Sequence, residues 1–331
     1  MTLKERKLYK SGKRNPNGYS FNPFDYFDNK RRVVIVCVLI TISLFFNVLC
    51  LFGFTSWQKL LSDTNLVDSV KQQDSDFVVY FLDVGQGDCT IVICDGEVLL
   101  IDSGTVNQAY NIRTHLFMLE IDKIDYLLVT HQHDDHMGSA AEIINHFSVS
   151  NILMPELSYD NNVNSPTYDN LIKTISNNNI NTKAVSYGDS FMLGSAYVEI
   201  IAPMKQDNNI NNMSVVTKIT YGNNSFLFTG DCEKDVEKQI LREGVDVSAD
   251  VISVAHHGSK TSSSNNFLSA VNPKYAIISC GIDNNYGHPS LETLEIFEDF
   301  GMFPYITSVH GDVTVTSDGN NVTVISEKTG F

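Results

Sequence analysis

Six consecutive residues, His131-Gln132-His133-Asp134-Asp135-His136, constrain this chain more than any other stretch. They follow the apolar run Tyr126-Leu127-Leu128-Val129 and precede Met137-Gly138-Ser139. Three imidazoles and two carboxylates in one short turn are a costly way to build a surface loop. They are a natural way to hold two divalent cations, because neutral imidazole and carboxylate are ligands that zinc, manganese and iron accept. A buried strand ahead of the turn delivers these side chains at its carboxyl end, where α/β folds keep their active sites. Alternation sorts them: His131 and His133 can face one cation, Asp135 and His136 a second. Asp134 is the spare acid, a base, a partner of a ligand or plain solvent-facing charge.

A two-cation site needs ligands from elsewhere, and the sequence offers them where other apolar runs end. Phe226-Leu227-Phe228-Thr229-Gly230-Asp231 closes on a carboxylate that could bridge two metals. Val251-Ile252-Ser253-Val254-Ala255 runs into His256 and His257, and Glu97-Val98-Leu99-Leu100-Ile101 into Asp102. An acid at a strand end can simply start a turn. Four strand ends that each close on a metal-ligating residue type make coincidence a poor account.

The motifs LLIDSG, THxHxDHxGS and FTGD, with a late histidine after a strand, resemble the metallo-β-lactamase fold superfamily. More narrowly, Phe81-Leu82-Asp83-Val84-Gly85-Gln86-Gly87-Asp88 looks like the opening of the ComEC competence-protein hydrolase domain. Asn211-Asn212-Met213-Ser214-Val215-Val216, Val254-Ala255-His256-His257-Gly258-Ser259 and Tyr286-Gly287-His288-Pro289-Ser290 match the same subfamily. Surface phosphorylcholine esterases of some Gram-positive bacteria carry similar motifs. The resemblance spans residues 77–328 and implies an α/β fold, a four-layer αββα sandwich. It implies two divalent metal ions, Zn or Mn, with His131, His133 and Asp231 on one and Asp135, His136, Asp231 and His257 on the other. His256 is the competing choice for the last position. With His257 as ligand, His256 contacts substrate, His288 reaches the mouth of the site, and these two join Asp135 as the catalytic set. Asp83 and Asp102 are the acids expected to hold ligating imidazoles in place. One departure stands out: many superfamily members carry a middle histidine, and between His146 and His256 this chain has none. The Asn212/Ser214 segment occupies that place, and an oxygen-richer site tilts the metal from zinc toward manganese. The implied reaction is hydrolysis of a phosphodiester, DNA or a cell-surface phosphodiester. Two cations share a water and lower its pKa, and the resulting hydroxide attacks phosphorus in line. A β-lactam or ester hydrolase, or a non-catalytic surface binding protein, are the alternatives.

Residues 33–54, Val33 to Phe54, are almost wholly apolar and uncharged. Twenty-two residues suffice to cross a hydrocarbon core of about 30 Å as a helix. The preceding residues 1–32 carry nine Lys or Arg against three acids, ending in Lys30-Arg31-Arg32. The positive-inside rule keeps that tail cytoplasmic and sends the rest out, giving a single-pass anchor in the lipid bilayer with an extracytoplasmic domain. No small-x-small cleavage site follows closely, which disfavours a cleaved signal. The expected organisation is a basic tail 1–32, a transmembrane helix 33–54, a stalk 55–75 and a hydrolase domain 76–331, with protein partners unspecified. The whole chain carries −16, so the part beyond residue 32 is more acidic still. Such a domain repels nucleic acid at long range, which counts against a sequence-independent grip on DNA. Cys89, Cys94, Cys232 and Cys280 fall in or beside apolar runs, with spacing that names no disulfide framework, and are expected as buried thiols.

Alternation and run length predict strands at Phe77–Leu82, Thr90–Cys94, Glu97–Ile101, Ile152–Met154, Tyr197–Ile201, Val215–Tyr221, Ser225–Phe228 and Tyr275–Ser279. Helices are expected over Asn107–Leu119, Ser139–His146, Glu233–Arg242 and Leu291–Phe300. Val313–Thr316 and Asn321–Ile325 read as a hairpin around Ser317-Asp318-Gly319-Asn320. The Asn-rich stretch Asn161–Asn181 reads as loop and helix at the rim of the site.

Overall fold

A computed structural model describes residues 75–156 and 165–329, together with Thr41. The expected tail, the span 33–54 apart from Thr41, residues 55–74 of the stalk, and residues 157–164, 330 and 331 lie outside the described residues. Among the described residues no helix is long and apolar enough to cross a membrane.

Two sheets form the framework. The first has eight strands: β1 (Phe77–Phe81), β2 (Thr90–Cys94), β3 (Glu97–Ile101), β4 (Lys123–Leu128), β5 (Ser148–Pro155), β6 (Asn181–Val185), β14 (Val313–Ser317) and β15 (Val322–Ser326), ordered β15-β14-β1-β2-β3-β4-β5-β6. The second has seven: β7 (Ser190–Leu193), β8 (Ala196–Ala202), β9 (Val216–Tyr221), β10 (Asn224–Phe228), β11 (Val251–Ser253), β12 (Tyr275–Ile278) and β13 (Tyr305–Ile306), ordered β13-β12-β11-β10-β9-β8-β7.

β1 explains the layering. All five of its residues, Phe-Val-Val-Tyr-Phe, are buried, so both faces of the strand are covered. Phe77, Val79 and Phe81 point into a core shared with Val198, Ile200, Phe226, Phe228 and Ile277 of the second sheet. Val78 and Tyr80, on the opposite face, join Ile112, Leu116, Ile143 and Leu171 of the helices Ala109–Met118, Ala140–His146 and Pro166–Asn178. The outer face of the second sheet does the same with Val236, Ile240, Phe267, Val271 and Phe297 of the helices Lys234–Arg242, Asn265–Val271 and Leu291–Asp299. The result is a mixed α/β sandwich of two sheets with helices on both outer sides. Rings lock the central layer, with Phe77 against Phe226 at 4.7 Å and Phe81 against Phe228 at 6.0 Å between centroids.

Several elements differ from expectation. The strand expected at Ile152–Met154 runs from Ser148 to Pro155. β6 and β7, and the helix Asn265–Val271, carried no prediction. The Asn-rich stretch contains the helix Pro166–Asn178, started by Ser165, whose hydroxyl accepts the Thr167 and Tyr168 N–H groups. Cys89, Cys94, Cys232 and Cys280 are free and buried.

Candidate metal centre

The carboxyl ends of neighbouring parallel strands supply the site. β4 leads through Val129 and Thr130 into the six-residue motif, and its parallel neighbour β3 leads into Asp102. In the other sheet β10, β11 and β12 are parallel and lead to Asp231, to His256 and His257, and to Ser279. The β1–β2 connection closes over the motif. Gly87 sits at φ +134°, and a Cβ there would lie 2.3 Å from the Asp135 carbonyl oxygen. Only glycine lets this loop come so near, and the approach is held by the Asp88 N–H donating to that carbonyl at 3.2 Å.

Histidines and carboxylates from both sheets converge here. The ligating atoms of His131, His133 and Asp231 lie within 4.8 Å of one another, as do those of Asp135, His136 and His257. Asp231 joins the two groups. Its Oδ2 is 3.7 Å from His131 Nε2, and its Oδ1 is 3.3 Å from His136 Nε2 and 3.7 Å from His257 Nε2. His257 Nε2 also lies 3.4 Å from Asp135 Oδ2. His136 Nε2, His257 Nε2 and Asp231 Oδ1 are buried without a hydrogen-bond partner. Buried polar atoms are rarely orphaned. Ligands about 2.1 Å from one tetrahedral cation stand about 3.4 Å from each other, which is the spacing found. The donor set therefore fits two divalent cations.

The far ring nitrogens are fixed by the scaffold. His257 Nδ1 donates to the Ser279 carbonyl at 2.9 Å, so its neutral form presents a lone pair on Nε2. His136 Nδ1 lies 2.8 Å from Asp102 Oδ2, and Asp102 in turn accepts the Thr130 N–H and hydroxyl. Ser214, fully buried, accepts the Asp231 N–H at 3.0 Å and touches His131 Nδ1 at 3.4 Å. It thus braces one ligand from each sheet.

The electrostatics say what the centre lacks. Burial disfavours charge on His136 and His257, yet Asp231 and its neighbouring carboxylates hold both imidazoles well above the usual histidine range. Burial likewise opposes the Asp231 carboxylate, but the His136 and His257 imidazoles outweigh it and keep the group well below its usual range. His131 and His133 lie on the other side of their ordinary value, lowered chiefly by burial. Half of the centre balances its carboxylates with protons, and divalent cations would replace those protons. His256 and His257 both occupy the left-handed region, at φ 54° and 53°. Backbone in this region is costly for a side-chain-bearing residue and collects at functional sites.

Placement separates the two late histidines. His257 is buried among Asp135, Asp231 and His136, whereas His256 is part-exposed, with Nε2 3.6 Å from Asp231 Oδ2 and Nδ1 3.2 Å from the Thr261 hydroxyl. His288 lies with its ring 5.5 Å from His256 and 6.2 Å from His257. A cleft of about 480 Å³ joins them, bordered also by Gln132, His133, Asp135 and Asp231. Asp134 is at its edge, accepting the Ser165 hydroxyl.

Asp83 is a correction. It touches none of these histidines; its Oδ1 accepts the Gly85 N–H, and its own N–H donates to Asp312. The geometry of the turn carries the chain past the centre before an acid can enter. That acid is Asp88, whose Oδ1 lies 3.3 Å from His257 Nδ1 and which groups with Asp231 and His257. The signal in the sequence is an acid closing the turn after β1, and the segment Phe81 to Asp88 carries two acids, Asp83 and Asp88.

Residues 82–164 match the family model of the metallo-beta-lactamase superfamily. Over 254 residues the chain is 28% identical to "ComE operon protein 3" of Bacillus subtilis, covering 71% of this chain and 32% of that protein. It is 27% identical over 246 residues to "Competence protein ComA" of Neisseria gonorrhoeae, covering 73% of this chain and 31% of that one. The chain thus spans about a third of the length of these relatives. Among solved structures, the diiron β-hydroxylase CmlA from Streptomyces venezuelae is similar at a TM-score of 0.48, with 16% identity over 75% of this chain and 55% of that one.

Proposed function

We propose that this chain, whose residues 82–164 match the metallo-beta-lactamase superfamily model, is a metal-dependent hydrolase that cleaves phosphodiesters at a two-cation centre. The observation that carries the reading is the convergence of His131, His133, Asp135, His136, Asp231 and His257, with three buried ligating atoms left without partners. The phosphodiester class follows from the resemblance of the motifs to the ComEC hydrolase domain, and two competence proteins are among the similar relatives.

His131, His133 and Asp231 would hold one cation, and Asp135, His136, Asp231 and His257 the other. Cations bound there would supply Lewis acidity, lowering the pKa of a water and neutralising charge on the phosphoryl oxygens. Zinc or manganese suits the set, and the serine at position 214 favours the harder ion. Asp102 and the Ser279 carbonyl hold His136 and His257 with Nε2 toward the centre. His256 faces the cleft and is placed to touch substrate. Burial, then the neighbouring His257 and His256, push the His288 pKa down to about 4. A neutral His288 near pH 7 serves as a hydrogen-bond donor to a phosphate oxygen rather than as a proton source. DNA and surface phosphodiesters are both substrates of the proposed class.

Residues 33–54 anchor the chain in the cell membrane, with the basic residues 1–32 cytoplasmic, a stalk beyond the span, and the domain outside. The support is the uncharged apolar run and Lys30-Arg31-Arg32 before it. Detergent-purified full chain loaded with Mn²⁺ or Zn²⁺ should bind two ions and hydrolyse bis(p-nitrophenyl) phosphate, but not a β-lactam. His133→Ala should fold, bind fewer ions and lose at least a hundredfold in turnover. A wild-type protein that binds no metal and turns over no phosphodiester would overturn the assignment.

A further inference from the structure

The cleft beside the ligand cluster has two properties that together fit a single nucleotide better than an extended strand. First, its border among the described residues includes no Lys or Arg, and Asp134, the one carboxylate there that is not assigned to a cation, adds negative charge. Proteins that track a nucleic acid backbone line the path with Lys and Arg, one phosphate after another. Here a second phosphate would meet Asp134 and no cationic side chain at the cleft border.

Second, a flat aromatic surface stands at the mouth. Tyr286 stacks on His288 with ring centroids 5.7 Å apart and planes 23° from parallel, and it is 70% exposed. The platform is fixed. Asn284 Oδ1 accepts the N–H groups of Tyr286 and His288, and Asn284 Nδ2 donates to the Gly281 and His288 carbonyls. An exposed ring on a tied-down loop invites stacking by a second flat group, because little conformational freedom remains to be lost. Gln132, within the ligand motif and 2% exposed, borders the same cleft, with both polar atoms of its amide unpartnered. It can hydrogen-bond to an edge carrying both donors and acceptors.

We propose that Tyr286, seated on His288, forms a nucleoside subsite beside the metal centre, and that the cleft takes mononucleotide diesters in preference to extended nucleic acid. This rests on the phosphodiesterase reading above. One phosphate reaches the cations, its base lies on Tyr286, and no further phosphate is needed.

The test uses the metal-loaded full chain with two esters sharing one leaving group, thymidine 5′-(p-nitrophenyl phosphate) and methyl p-nitrophenyl phosphate. Wild type should favour the thymidine ester about tenfold in kcat/KM. Tyr286→Ala should abolish that preference mainly through KM, and Tyr286→Phe should retain it. Calorimetry should show thymidine 5′-monophosphate binding about tenfold more weakly to Tyr286→Ala than to wild type. A 20-nucleotide single strand should inhibit no more tightly than thymidine monophosphate. Equal effects of Tyr286→Ala on both esters, unchanged monophosphate binding, or much tighter inhibition by the 20-mer would each overturn the subsite. Absence of turnover of either ester with metal bound would instead sink the hydrolase reading, and monophosphate binding would still decide the role of Tyr286.

Discussion

His136 and His257 share one predicament, burial among carboxylates. Their raised pKa values mean that both rings are protonated near neutral pH in the metal-free protein. That charge compensation is fully present below the ordinary histidine pKa of about 6.5 and fades as pH rises through the raised values. A cation must displace those protons, so its affinity should rise with pH across the same range. Titration calorimetry in buffers of different ionisation enthalpy should detect proton release on metal binding at pH 7; no release would contradict the assignment. His131 and His133, lowered by burial, should contribute little to it. The residue types and spacing in the motif were legible in sequence, because imidazole and carboxylate clusters have few other uses. Asp83 and Asp88 were not separable there, since both precede or follow glycines in one turn, and only the chain path puts Asp88 against His257.

At the scale of elements, the turn after β11 depends on a buried acid. Glu237, on the helix Lys234–Arg242, is fully buried, and its carboxylate accepts the Ser263 and Ser264 N–H groups. That bond set fixes the segment between His257 and the helix Asn265–Val271, where Ser264 caps the first turn by accepting the Phe267 N–H. Glu237→Ala leaves those donors unmatched and should cost about 2–3 kcal/mol, read from urea denaturation. Glu237→Gln should recover part of it. Elements buried on both faces, such as β1, β2 and β10, announced themselves as apolar runs. β6 and β7 did not, because each is the outer strand of its sheet. Four of the five β6 residues are exposed, so nothing in composition marks them, and only pairing with β5 makes them a strand.

The whole molecule divides its chemistry between two sheets. The first supplies Asp102 and His131 to His136, and the second supplies Asp231 and His257, so the packing between sheets sets the distances within the centre. Phe226, fully buried between Phe77 and its neighbours, is part of that spacer. Phe226→Ala should destabilise the domain by about 3–5 kcal/mol and weaken metal retention, measured by denaturation and by metal content after dialysis. Intact metal retention would show that the sheets keep their separation without it. By itself the sequence determined which side chains are available for coordination and which strand ends carry them, because hydrophobic run length and ligand chemistry are local properties. The tertiary structure alone decided that Asp231 turns one oxygen to each half of the centre, that His257 rather than His256 is enclosed, and that Ser214 braces both sheets. Those facts depend on how residues about a hundred positions apart in the chain approach within a few ångströms, and no local pattern encodes that distance.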